Sequence, residues 1–164
     1  MMNSRQDHIV CAIDVHDYDQ GIVDLAAYFA KAAGVDLDIV HVTPLTNYDP
    51  EQGYSGSIRP LAAIAGDNGK LLKIAPTEKS ILIRHHQLLG EPAKRILDFL
   101  NYGSPQLVVV GTHGRRGWKR LLLGSVAEYL LRHAQCPVAV FRRSLRNQPD
   151  RTSQVAGGDQ KLHT

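Results

Sequence analysis

The sequence predicts an α/β protein built on an open parallel β-sheet with helices on both faces. Two observations carry this expectation. Short apolar runs, of the nearly continuous kind that suits strands buried on both sides, alternate with longer segments whose apolar residues recur at helical spacing. The alternation reads β-α-β-α-β-α-β-α-β across the 164 residues, and parallel neighbours joined by helices need right-handed crossovers that lay those helices on the two sheet faces.

The elements follow in order. His8 to Val15 (HIVCAIDV) is a short, almost wholly apolar run and is read as the first strand. Asp17 to Ala33 places Ile22, Leu25, Ala26, Phe29, Ala30 and Ala33 on one helical face, and Gly34 stands where a left-handed cap would end the helix. A second strand, rich in Val and Ile, runs from Leu37 to Thr43. Between Pro44 and Lys79 the pattern is irregular: Tyr48 to Ser57 reads as loop, and Ile58 to Ile74 as a helix that has to accommodate Gly66, Asp67, Asn68 and Gly69. Strand preference returns from Ser80 to Leu89. Gly90, Glu91 and Pro92 then break it, with Pro92 placed at the first position of a third helix carrying Ile96, Leu97 and Leu100. Gln106 to Gly111 (QLVVVG) is the clearest buried strand of the chain. Gly124 to Ala134 is a helix with Val126, Leu130 and Leu131 on its inner face, and Pro137 to Phe141 (PVAVF) is the last strand. The stretch after Ser144 is polar, with Gly157 and Gly158 and little to bury, so residues 1–144 are expected to form one domain and 145–164 a disordered tail.

Composition sets bounds on function. At 43% hydrophobic and 21% charged the chain is expected to form one globular domain with a real core. Met1 to His8 is polar, and Ile9 to Ile13 is too short for an export or spanning segment, so the protein is read as cytoplasmic with no membrane insertion. Cys11 and Cys136 lie in or beside apolar runs and suggest buried free thiols. The net charge of +3 comes from 19 Lys and Arg against 16 Asp and Glu, too even a balance to predict a nucleic-acid binder. The basic residues Arg115, Arg116, Lys119 and Arg120, and those from Arg142 to Arg146, lack the aromatic interleaving that single-strand binding uses. The eight histidines form no i, i+4 ligand pair and no cysteine cluster has zinc spacing, so no metal site is expected. Neither a G-x-x-x-x-G-K-[ST] loop nor a G-x-G-x-x-G after the first strand is present. No base and nucleophile stand together, and no catalytic residue is assigned.

Gly111 to Ser125 (GTHGRRGWKRLLLGS) lies between the clearest strand and the helix after it. In open α/β sheets ligands bind beyond the carboxyl ends of the strands, where such loops line the crevice. Glycines let a backbone approach phosphate closely, and the free N–H groups of a helix start favour anions. Gly124 and Ser125 occupy such a start, and Arg115 is the loop cation best placed to join them. Each of these residues also has a plainer reading: glycines that serve turns, a solvated basic face, and His113 as a loop strut instead of a phosphate donor.

The spacing Gly111-x2-Gly114-x9-Gly124-Ser125 resembles the nucleotide loop G-x2-G-x9-G-[ST] of the universal stress protein family, with every fixed position filled. The resemblance runs from Ile9 to about Arg142 and includes Asp14 after the first strand and the His41-Val42 pair in the second. It implies a Rossmann-like sheet of five parallel strands in the order 3-2-1-4-5, and the ATP-binding branch of the family. By that resemblance Ala12, Ile13 and Asp14 contact adenine or ribose, Val42 packs on adenine, and Val110 and Gly111 lie near the ribose. Gly114, Arg115, Gly124, Ser125 and Val126 hold the phosphates. Read by themselves, Asp14 is a turn residue and Val42 a core residue. Ala12 and Ile13 are more apolar than in some nucleotide-binding relatives, which leaves their part of the contact to backbone groups. The resemblance further implies ATP, ADP or AMP as ligand and a regulator of stress response or signalling; a magnesium ion held by the phosphates would lower the charge barrier and allow slow ATP hydrolysis at most. The alternative is a nucleotide-independent module that docks on an unknown protein partner. Under either reading the apolar edge strand Pro137 to Phe141 is expected to pair with its counterpart in a homodimer.

Overall fold

The computed structural model describes residues 7–49, 53–112 and 123–142. In chain order the elements are β1 (His8–Ala12), α1 (Gln20–Ala33), β2 (Asp36–Thr43), β3 (Thr46–Asp49), β4 (Gly53–Ile58), α2 (Leu61–Leu71), β5 (Ile83–Leu89), α3 (Pro92–Gly103), β6 (Leu107–Gly111), α4 (Ser125–His133) and β7 (Val138–Phe141). Five strands form one parallel sheet in the order β5-β2-β1-β6-β7. Numbered among themselves, these strands run 3-2-1-4-5, the expected order.

Strand alternation divides the core into two layers. Ile9, Cys11, Leu37, Ile39 and Val109 project to one face and pack under α1, with Leu71 and Ile74 at and beyond the end of α2. Val10, Ala12, Val40, Val42, Val108 and Val110 project to the other and meet Ile96 and Leu100 of α3 and Ala127 and Leu130 of α4. The central strands are apolar on successive residues because both faces are covered.

Local chemistry sets the helix ends. The Asp19 carboxylate accepts from the Gly21 N–H at 2.8 Å and starts α1, and Gly34 ends it at φ 69°, a conformation that a side chain disfavours. The start falls later than Asp17 because Asp14 closes a turn first: its carbonyl accepts from the Asp17 N–H and its Oδ1 from the His16 N–H, both at 3.0 Å. That turn also ends β1 at Ala12, short of Val15. At α3, Glu91 accepts from the N–H groups of Ala93 and Lys94 at 3.1 and 3.0 Å, and Pro92 takes the first helical position as expected.

The segment between β2 and β5 departs from the sequence reading. Tyr48 to Ser57, read as loop, contributes most of an antiparallel hairpin of β3 and β4, in which Tyr48 pairs with Tyr54 and Thr46 with Ile58. Its strands are short, and Gly53, Ser55, Gly56 and Ser57 are turn-type residues with low strand preference, so the pairing left no apolar period to read. The helix expected from Ile58 to Ile74 is present as the shorter α2, where Gly66 and Gly69 fall on the exposed side while Asp67 turns inward. β5 begins at Ile83, not Ser80. Among the described residues no helix is long and apolar enough to cross a membrane. The expected tail, 145–164, lies outside the described residues.

Candidate functional site

The two central strands, β1 and β6, lie side by side, with Ala12 paired to Val110. After β1 the chain feeds α1 on one face of the sheet, and after β6 it feeds α4 on the other. Such a divergence marks the switch point of the sheet, and doubly wound sheets place their ligands beyond the carboxyl ends of the two strands there. The next residues on each side are Ile13 and Asp14 after β1, and Gly111 and Thr112 at the end of β6.

Four of the expected site residues come together on one face. Ala12, Val42 and Val110 are buried in the layer beneath α3 and α4, and Val126, from the first turn of α4, packs against the same layer. They form an apolar floor and wall at the strand ends. Asp14 is half-buried, its Oδ1 accepting from the His16 N–H at 3.0 Å. Gly111 pairs with Phe141 in β7, and the buried Thr112 donates its N–H to the Phe141 carbonyl at 2.9 Å, which anchors the start of the loop. The Ile13 side chain packs with the opposite layer, and its N–H donates to the Val40 carbonyl at 3.0 Å.

The sheet is parallel, so α4 runs back against the strand direction and its N-terminus stands at the carboxyl end of the strands. Gly124 is the extended residue before the helix, at φ −71° and ψ 156°, and as a glycine it has no side chain with which to cap the first turn. The N–H groups of that turn and the exposed Ser125 hydroxyl form an anion-favouring end. Gly114 and Arg115, together with His113, Arg116, Lys119 and Arg120, lie outside the described residues.

On the opposite face the structure assembles polar residues that the sequence reading did not join. Asp67 of α2 is buried and takes Arg59 at 2.9 Å and His16 Nε2 at 2.6 Å. Burial pushes its carboxyl up, but the hydrogen bonds from Arg59 and His16 outweigh this and hold it below the usual aspartate range. His41 of β2 is buried beside it, and desolvation pulls its imidazole below the usual histidine value, so the ring is neutral at pH 7. The partners are far apart in sequence, His16 and Asp67 by 51 residues, and only an isolated charged residue inside a helical pattern hinted at them.

Neither cysteine offers a nucleophile. Cys11 is fully buried and its thiol is pushed up to about 12 by desolvation, while the half-buried Cys136 is raised for the same reason. Among the described residues no group of three His, Cys, Asp or Glu side chains is arranged to hold a metal ion.

The sheet order and the divergence at β1 and β6 define an α/β domain of the doubly wound kind, a fold that binds ligands at its switch point. The model of the Universal stress protein family matches residues 6–142, and the chain belongs to that family. It is 33% identical over 135 residues to universal stress protein A homolog 1 of Coxiella burnetii, covering 80% of this chain and 92% of that one. It is 35% identical over 106 residues to universal stress protein MJ0531 of Methanocaldococcus jannaschii, which takes in 64% of this chain and 62% of the relative. Among solved structures, a universal stress protein from Archaeoglobus fulgidus in complex with dAMP superimposes with a TM-score of 0.62 at 23% identity, over 82% of this chain and 96% of that one. At that identity the likeness establishes the fold.

Proposed function

We propose that this protein binds an adenine nucleotide, ATP or its ADP and AMP forms, and acts as a nucleotide-responsive regulator of stress response or signalling in the cytoplasm. The observation that carries the reading is the convergence, at one switch point, of the apolar residues Ala12, Val42 and Val110 with the N-terminus of α4. An adenine ring laid on those residues would be desolvated on one face, and the helix start suits phosphate. The dAMP held by the Archaeoglobus relative of the same fold supports the choice of ligand.

In this reading adenine packs on Val42 and Ala12 near the Ile13 backbone, and the ribose lies by Asp14, Val110 and Gly111. Gly114, Arg115, Gly124, Ser125 and Val126 take the phosphates. Magnesium rides on the phosphate oxygens, and hydrolysis is slow at most, since no base is assigned to activate water. The decisive experiment is titration of the wild type and Gly114→Val with Mg-ATP, ADP and AMP by calorimetry. A β-branched side chain at Gly114 obstructs phosphate approach, so the variant should lose ATP affinity while keeping its fold. Unchanged ATP affinity in a folded Gly114→Val protein would overturn the placement.

One observation favours the second reading, a docking module. β7 is an edge strand, paired on one side with β6, and the half-buried Val138 and Val140 face the α3 and α4 layer. Its other edge, unpaired among the described residues, suits pairing with the same strand, Pro137 to Phe141, of a second copy, and the homodimer could present a partner surface whether or not nucleotide is bound. Loss of the dimer on introducing a proline at Val140, measured by sedimentation, would support that edge as the interface, and an unchanged dimer would exclude it.

A further inference from the structure

His41 is 3% exposed, and its Nε2 is buried with no hydrogen-bond partner among the described residues, 3.9 Å from Asp67 Oδ2. Its other ring nitrogen, Nδ1, lies 3.2 Å from the Ile13 carbonyl oxygen and 3.4 Å from the Val15 amide nitrogen. A neutral imidazole carries one ring proton, so Nδ1 either donates to Ile13 or accepts from Val15. In both tautomers the ring grips the backbone on one side or the other of Asp14.

The same loop is held from a second direction. The His16 N–H donates to Asp14 Oδ1 at 3.0 Å, the His16 ring meets Asp67 Oδ1 at 2.6 Å, and Lys70 Nζ lies 3.0 Å from the ring's Nδ1. Asp67 is itself fixed, by Arg59 at 2.9 Å and by the Thr43 hydroxyl, which donates to it at 3.4 Å. Gln87 joins β5 to this arrangement by donating to Thr43 Oγ1 at 2.9 Å and to the Ile64 carbonyl at 2.8 Å. A helix on the face away from the crevice is thus tied, through two histidines, to the stretch of chain that carries Asp14.

We propose that His41 is a positioning residue for nucleotide binding and that Asp67 braces it: together they fix the Ile13–His16 backbone and so the direction of the Asp14 carboxylate. The inference rests on the nucleotide-binding reading above. A buried nitrogen with no hydrogen-bond partner among the described residues is kept for the sake of the other one. Nδ1 and the packing between β1 and β2 hold the ring against the loop, and the Asp67 carboxylate near Nε2 biases which nitrogen carries the proton, as outer partners of a histidine do. Because both braces act on backbone groups, their loss should alter ligand affinity more than the packing of the apolar layers.

The test measures AMP affinity by calorimetry, and thermal stability without ligand, for wild type, His41→Leu, His41→Asn and Asp67→Asn. Leucine fills the space and removes both ring nitrogens. Asparagine places an amide near Nδ1 that can donate to Ile13 or, flipped, accept from Val15. His41→Leu should weaken AMP binding by about tenfold, the worth of one well-placed hydrogen bond, and His41→Asn should recover most of it. Asp67→Asn should fall between them. The proposal is overturned if folded His41→Leu binds AMP within about twofold of wild type, or if His41→Asn is as weak as His41→Leu. Should His41→Leu fail to fold, wild-type affinity in Asp67→Asn overturns it instead. A wild type that binds no AMP, ADP or ATP would remove the nucleotide reading itself, whereas equal affinities across variants of a wild type that binds would remove this inference alone.

Discussion

Replacing Asp38 with asparagine removes one charge from a cluster that fastens β1, β2 and β5 together, on the α3 and α4 side of the sheet. Asp38 is 4% exposed, and its Oδ1 accepts from Arg84 Nε at 2.6 Å across the pair that joins β2 to β5 in register. His86 Nε2 lies 3.5 Å from the same oxygen and His8 Nε2 3.6 Å from the other. Hydrogen bonds to charged groups contribute about 1.5–3 kcal/mol. Asparagine keeps one acceptor oxygen, and Arg84 keeps Asp36 at 2.7 Å, so no charge is orphaned. The loss of about 3–5 kcal/mol that follows from breaking a buried pair is therefore not expected. Urea unfolding at pH 7 should show Asp38→Asn less stable by about 2 kcal/mol. The pH dependence has a definite sign. Burial pushes the Asp38 carboxyl up, but the His86 ring close by and the hydrogen bond from Arg84 outweigh this and hold it below its usual value. A carboxyl depressed in the folded state stabilises fully above its unfolded pKa and loses that contribution as pH falls through the folded one, so wild type and variant should converge below about pH 4. A loss under about 0.5 kcal/mol at pH 7, within the scatter of ordinary surface changes, or a gap that widens toward pH 3, would refute the reasoning.

Two further outcomes follow from burial. Leu130 is fully buried where α4 meets the sheet, and Leu130→Ala should cost about 2–5 kcal/mol, seen as a lower urea midpoint at unchanged slope. Cys11, buried and with its thiol pushed up to about 12, should resist a disulfide reagent in the native protein and react only on unfolding, with the half-buried Cys136 reacting first.

The central sheet was legible because its strands are covered on both faces: HIVCAIDV and QLVVVG are apolar on successive residues, too short for a buried helix and rich in Val and Ile. Their limits were not, since Ile13 and Val15 continue the apolar pattern past Ala12 while the Asp14 turn ends the strand. The hairpin of β3 and β4 escaped because antiparallel pairing, not side-chain preference, holds Gly53 to Ile58 extended. Of the residues that the family resemblance named, Ala12, Val42 and Val110 share one layer of the sheet, while the Ile13 side chain lies on the other face, as the residue after Ala12 does under strand alternation. The His16, His41 and Asp67 arrangement was hidden for another reason. His41 reads as one more residue of a buried strand and Asp67 as a helix interruption, and only the packing of α2 over β2 brings them within reach.

An adenine nucleotide held at the switch point is the proposal on which the rest depends. Its most direct test is to denature the purified protein and identify by chromatography and mass spectrometry what small molecule is released. ATP, ADP or AMP in near-stoichiometric amount is the predicted result. No released nucleotide, together with a melting temperature that Mg-ATP, ADP and AMP leave unchanged over a broad concentration range, would contradict it and leave the docking module in its place.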